Sequence, residues 1–129
     1  MKLEIKVETD TWSNGQKQHE TPYVNGQRHG RATWWHESGQ KWTETPYVNG
    51  QEHGIETYWY PNGQKSHEIP YVNGQVHGLY TEWFSDGSLR YVEKMHQDQL
   101  VWEINLYSKE QIPEDAEVEL FFHETPEVI

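Results

Sequence analysis

A chain of 129 residues fits a single domain, and the absence of cysteine excludes disulfides, thiolate metal sites and a cysteine nucleophile. With 10 Lys and Arg against 21 Asp and Glu the net charge is −11, which argues against nucleic acid and anionic membrane as direct partners, because both reward basic patches. Only 33% of residues are hydrophobic, and 7 Trp, 8 Tyr and 3 Phe supply much of that share, so burial is expected to be aromatic rather than aliphatic.

The opening residues Met1 to Glu8 alternate apolar and charged side chains, with Leu3, Ile5 and Val7 on one parity. This reads as a strand rather than a signal peptide, and residues 1–10 are assigned as an N-terminal capping strand. No apolar run approaches the ~18 residues of a membrane span, and the lack of cysteine agrees with a reducing compartment. The expected location is the cytoplasm.

Residues 11–98 repeat with a period of 24: Trp12–Trp35, His36–Trp59 and Tyr60–Trp83 are three full copies, followed by a partial fourth. Such a period marks an architecture in which each unit buries its apolar face only against its neighbours. Asn-Gly pairs recur at Asn14-Gly15, Asn25-Gly26, Asn49-Gly50, Asn62-Gly63 and Asn73-Gly74, with Ser38-Gly39 and Asp86-Gly87 in equivalent places. Asn-Gly favours a type I′ hairpin turn, because both central residues need positive φ. The turns alternate at spacings of 11 and 13 residues, which leaves strands of ordinary length between them. The expected fold is all-β: a single-layer antiparallel β-meander, or solenoid, of hairpin repeats with non-repeat β caps at both ends.

Strand parity puts Thr33 with Trp35, Thr57 with Trp59 and Thr81 with Trp83. The columns Trp35, Trp59, Trp83 and Tyr23, Tyr47, Tyr71 are therefore assigned to the structural core, with the tryptophan column on the buried face. The opposite face is mixed, with Trp34, Tyr58 and Glu82 in one register position. Gly30, Gly54 and Gly78 lie just inside strands, where a missing Cβ would let a neighbouring tyrosine ring cross the backbone. Pro22, Pro46 and Pro70 cannot donate to a ladder and require a bulge or gap in each repeat.

In the fourth copy Asp98 stands where Gly is due, and Val101-Trp102 where His-Gly is due. Residues 99–129 are assigned as an acidic C-terminal β cap. A strand is expected around Leu100, Trp102 and Ile104, a turn at Ile112 to Asp115, and a further strand at Val118, Leu120 and Phe122. Residues 1–98 carry 13 acidic and 9 basic side chains, a balance of −4; residues 99–129 carry 8 acidic side chains against Lys109, a balance of −7. Such an end is either a solvating cap or a surface for a basic partner.

Catalytic and metal chemistry find little support. His29, His53 and His77 recur two strand spacings apart, about 9.5 Å. Donors to one zinc sit about 2 Å from it, so these histidines are expected to bond turns instead. Glu20, Glu44 and Glu68 have the same spacing but equal environments, whereas paired carboxylates in catalysis need different ones. No cofactor motif is present.

The frame Tyr-Val-Asn-Gly-Gln-x-His-Gly-x-x-Thr-x-Trp, followed by an aromatic and a second turn, resembles the MORN repeat, in particular the bacterial variant found in the YwqK-like antitoxin family. The resemblance covers about Thr11 to Lys94 and is densest from Asn49 to Gly63 and from Asn73 to Gly87. It implies an elongated, twisted, single-layer sheet and a non-catalytic protein-binding module of the antitoxin or immunity kind, acting by occlusion of a partner's active surface. A phage-encoded inhibitor of a nuclease or defence complex, imitating nucleic-acid charge, is the alternative; a scaffold or carbohydrate-binding role ranks below both.

The partner is expected to be a protein with a basic surface. Candidate contact residues are Trp34, Tyr58, Tyr60 and Phe84, opposite the tryptophan column, and the acids Glu114, Asp115, Glu117, Glu119, Glu124 and Glu127. The open sheet also leaves edges through which two copies could join as a homodimer.

Overall fold

The computed structural model describes residues 2–105. They form a single open sheet of twelve strands, every pairing antiparallel, with no helix. Nine strands lie side by side in chain order: β1 (Ile5–Thr11), β2 (Lys17–Val24), β4 (Gly30–Trp35), β5 (Lys41–Val48), β7 (Gly54–Trp59), β8 (Lys65–Val72), β10 (Gly78–Trp83), β11 (Leu89–His96) and β12 (Gln99–Asn105). Two-residue strands β3 (Gln27–Arg28), β6 (Gln51–Glu52) and β9 (Gln75–Val76) lengthen the hairpins that β2, β5 and β8 begin. The expected single-layer meander is the observed fold. The expected turn at residues 112–115, the strand at 118–122 and the six C-terminal acids of the candidate site lie outside the described residues.

The two rims of the sheet use different turns, which corrects the single turn type expected. On one rim Asn25, Asn49 and Asn73 have φ of 49–50° and are each followed by a glycine at 80–85°, the type I′ requirement. On the other rim only the glycines Gly15, Gly39, Gly63 and Gly87 have positive φ. There the amide of Gly15 donates to the Trp12 carbonyl at 2.9 Å and the amide of Trp12 to that of Gln16 at 2.8 Å, a longer loop in which Asn14 does not take positive φ and its Oδ1 accepts from the Gln16 amide at 2.9 Å. Ser38 and Asp86 can replace asparagine on that rim because each offers the same side-chain acceptor, to the amides of Gln40 and Ser88 at 3.3 and 2.8 Å. The fourth copy also keeps its turn: Gln97 and Asp98 take φ of 49° and 65° without glycine. Asp98 is held by two bonds to Val76, its amide donating to the carbonyl at 2.9 Å and its Oδ1 accepting from the amide at 2.7 Å.

The prolines sit at the gap that their missing N–H required. Between β2 and the β3–β4 segment, register partners are Tyr23 with Arg28 and Val24 with Gln27, then His19 with Trp34 and Glu20 with Thr33, so Pro22 falls where the ladder is broken. Its carbonyl accepts from the His29 amide at 3.1 Å. The glycine beside the gap serves proline rather than tyrosine: a Cβ on Gly30 or Gly54 would lie 3.0 Å from the Cγ of Pro22 or Pro46. Tyr47 and Tyr71 are the register partners of Gly30 and Gly54 on the following strand.

Burial is shared between the faces, which corrects the expectation of one buried face. Face A carries the row Glu20, Thr33, Glu44, Thr57, Glu68, Thr81, Val92; its threonines are buried, and Trp35, Trp59 and Trp83 are half-buried beside them. Face B buries Thr21, Ala32, Thr43 and Thr45, and its Tyr23, Tyr47 and Tyr71 are half-buried. Among the described residues there is no second layer, so within the sheet a side chain is covered by taller neighbours at i±2 and across the strands. Short threonines therefore disappear beneath the rings and glutamates, and Glu44 is buried with them.

Candidate binding surface

Face A is a repeated ion-pair surface. Lys17 and Lys41 bond to Glu20 and Glu44 at 3.0 and 2.8 Å and sit over the rings of Trp35 and Trp59 at 5.8 and 5.7 Å. Lys65 repeats the pairing with Glu68 at 3.5 Å. Glu44 also binds Arg31 and is the most enclosed of the three glutamates. Burial raises its pKa, but the bonds from Lys41 and Arg31 outweigh that and hold it below the ordinary carboxylate value. Nearer the Asn-Gly rim, face A is mainly apolar: Val7, Pro22, Pro46, Ile55, Pro70 and Leu79 share one row with the cations Arg31 and Lys94, and Ile5, Val24, Val48 and Val72 share the next with Gln27, Gln51 and Gln75.

Face B carries a continuous row across the sheet: Asp10, His19, Trp34, Thr43, Tyr58, His67, Glu82, Tyr91. Trp34 is 39% exposed and its ring centroid lies 4.2 Å from that of His19. Tyr58 meets His67 edge-on at 5.8 Å, and the ring series continues through Tyr80 to Tyr91. Desolvation, then the charge of Glu56, push the hydroxyls of Tyr58 and Tyr71 up to about 12. Burial also raises Tyr80 and Tyr91, reinforced by hydrogen bonds to Glu82 at 2.6 Å and to Glu103 and Glu93 at 2.6 and 2.7 Å. Tyrosine hydroxyls thus brace the carboxylates of this face.

Two of the four ring residues expected at the surface, Trp34 and Tyr58, share this row with Thr43 between them. The other two follow the strand ends. The Tyr60 hydroxyl donates to the Trp83 carbonyl at 2.7 Å, and Phe84 lies under the Arg90 guanidinium at 5.8 Å. Sequence reasoning placed Glu82 on this face without naming it as a contact, and it missed the carboxylates Glu56, Glu93 and Glu103 and the ring of Trp42, 48% exposed. Trp42 is left without a register partner by a bulge between Lys41 and Thr43, and the same bulge recurs at Gln18, Ser66 and Arg90. The available signal was the variability of that column beside columns that hardly change.

The faces differ in charge. By register and contact, face B carries Glu8, Asp10, Glu52, Glu56, Glu82, Glu93 and Glu103 against Lys6, Arg28 and Arg90, a balance of −4. Face A carries Lys17, Arg31, Lys41, Lys65 and Lys94 against Glu20, Glu44 and Glu68, a balance of +2. The histidines of the repeats serve the rim, as expected: Nδ1 of His29 and His53 accepts from the amides of Asn49 and Asn73 at 3.3 Å. Among the described residues no group of three or more His, Cys, Asp or Glu side chains is placed to hold a metal ion, and no helix is long and apolar enough to cross a membrane.

Comparison with known proteins returns one family. The model of the MORN repeat variant matches the chain twice, at residues 28–49 and 52–73. The two matches start 24 residues apart, on the period of the sequence. MORN repeats generally act as protein- or membrane-binding modules, and theirs is not a known enzyme family. No curated protein and no solved structure matches the chain.

Proposed function

We propose that the chain is a non-catalytic protein-binding module of the antitoxin or immunity kind, acting in the cytoplasm, and that face B covers the basic active surface of a partner protein. The observation that carries this reading is the combination of exposed rings and unbalanced carboxylate on one rigid face. Trp and Tyr supply contact area at small entropic cost and dominate interface hot spots. Glu93 and Glu103 are direct register partners, and the Tyr91 hydroxyl, with one proton to donate, bridges both. Like charges in opposed positions disfavour a sheet, so a lysine or arginine from a partner would relieve this pair. An acidic face also steers a basic partner during encounter.

A phage-encoded inhibitor that imitates nucleic acid is the second reading, and the same carboxylates favour it. Capture on the immobilised full chain from native-host lysate, read by mass spectrometry at low and high salt, tests the shared mechanism. A basic protein held at low salt and released at high salt is expected. Capture of acidic proteins only, or none at either salt, would contradict it. A nuclease or a defence-complex subunit as the captured protein would favour the second reading over the first.

A further inference from the structure

We propose that the acidic C-terminal segment, residues 106–129, docks back onto face A, lying along its apolar stripe with its carboxylates against the face's cations. The inference is independent of the partner reading, because it concerns the other face. Three observations carry it. The stripe is open: Val7 and Val48 on it are 50% and 41% exposed. The charges match: residues 106–129 hold seven acids against Lys109, a balance of −6, so face B at −4 repels the segment and face A at +2 attracts it. Face A also turns apolar where the described chain leaves the sheet. The positions of Lys41 and Glu44 become Leu89 and Val92 in the last repeat, with Ile104 as the next register partner, and Val92 is fully buried.

The segment has the pattern and the reach for this. Val118, Leu120 and Phe122 alternate with Glu117, Glu119 and Phe121, as a strand with one apolar side does. Extended, 24 residues span up to about 80 Å, whereas nine strands side by side cover about 40 Å. In this arrangement the tail supplies the second layer that a single sheet lacks, and it leaves face B to the partner.

The chain has no cysteine, so one introduced thiol is a unique handle. In the full chain, Thr125→Cys is labelled with a benzophenone maleimide, irradiated, and its cross-links mapped by mass spectrometry; Ala116→Cys, on the other side of the apolar run, repeats the measurement should the first label disturb docking. Intramolecular cross-links to Val48, Ile55, Val72 or Leu79 are expected from at least one label. Cross-links to Trp34, Tyr58 or Tyr80, or no intramolecular cross-link from either label, would overturn the proposal. No partner is present in this experiment, so its failure leaves the reading of face B standing.

Discussion

At Gly54 the backbone has φ of 113° and a Cβ would stand 3.0 Å from the Cγ of Pro46; at Gly26 φ is 80° and nothing lies within 4 Å. Gly54→Ala therefore combines backbone strain with a clash against a rigid ring, and Gly26→Ala carries the strain alone. The expected losses are about 2–3 and about 1 kcal/mol, read from denaturant melts; equal losses would remove proline packing as the reason for glycine there. Glu44 supplies the pH dependence at this scale. Lys41 and Arg31 together hold its folded pKa below the ordinary value despite burial, so its contribution to stability is complete above the unfolded pKa and is lost as pH falls through the folded one. Glu44→Gln should lower the Tm near neutrality and flatten its decline between about pH 5 and pH 3, as measured by thermal melts across that range.

In two of the repeats the ring of the first residue reaches the backbone of the last. Trp12 Nε1 donates to the Trp35 carbonyl at 3.1 Å and the Tyr60 hydroxyl to that of Trp83 at 2.7 Å. His36 holds the place between them, and its Nε2 is buried without a hydrogen-bond partner. Phe84, in the last of these places, has no donor. Tyr60→Phe should thus cost about 1 kcal/mol, whereas His36→Phe should be neutral or stabilising, because it removes a buried polar atom that makes no bond. Thermal and denaturant melts of the two variants check the contrast. Tyr60 shows where sequence reasoning stops: its column was visible, but the bond to Trp83 crosses 23 residues and depends on how one turn overlies the next. The hairpins themselves were legible because Asn25, Asn49 and Asn73 encode their turns locally. The second rim was misread because Asn14-Gly15 looks the same in sequence yet only Gly15 takes positive φ.

Taken whole, the described residues form a one-layer sheet with faces of opposite character, one of paired lysine and glutamate beside a mainly apolar stripe, the other of rings braced against carboxylates. Parity alone assigned Trp34 and Tyr58 to one face and Trp35 and Trp59 to the other, and the register agrees. Parity also placed Glu82 on face B, but the rest of its acidity was not legible, because Glu56, Glu93 and Glu103 come from different strands and gather only through pairing. The edges are also set at this scale. Every residue of β1 is exposed, and Lys6, Glu8 and Asp10 place charge along it, which discourages further strand addition.

The measurement that tests the central claim most directly is the affinity of the captured partner for the wild-type chain, for Trp34→Ala/Tyr58→Ala on face B, and for Val48→Ala on face A, each shown by thermal melt to be folded. The account predicts that the face B variant binds about tenfold more weakly or worse, a loss of at least ~1.4 kcal/mol, while the face A variant stays within about twofold of wild type. Equal affinities for all three, or a loss confined to Val48→Ala, would contradict the assignment of face B as the binding surface.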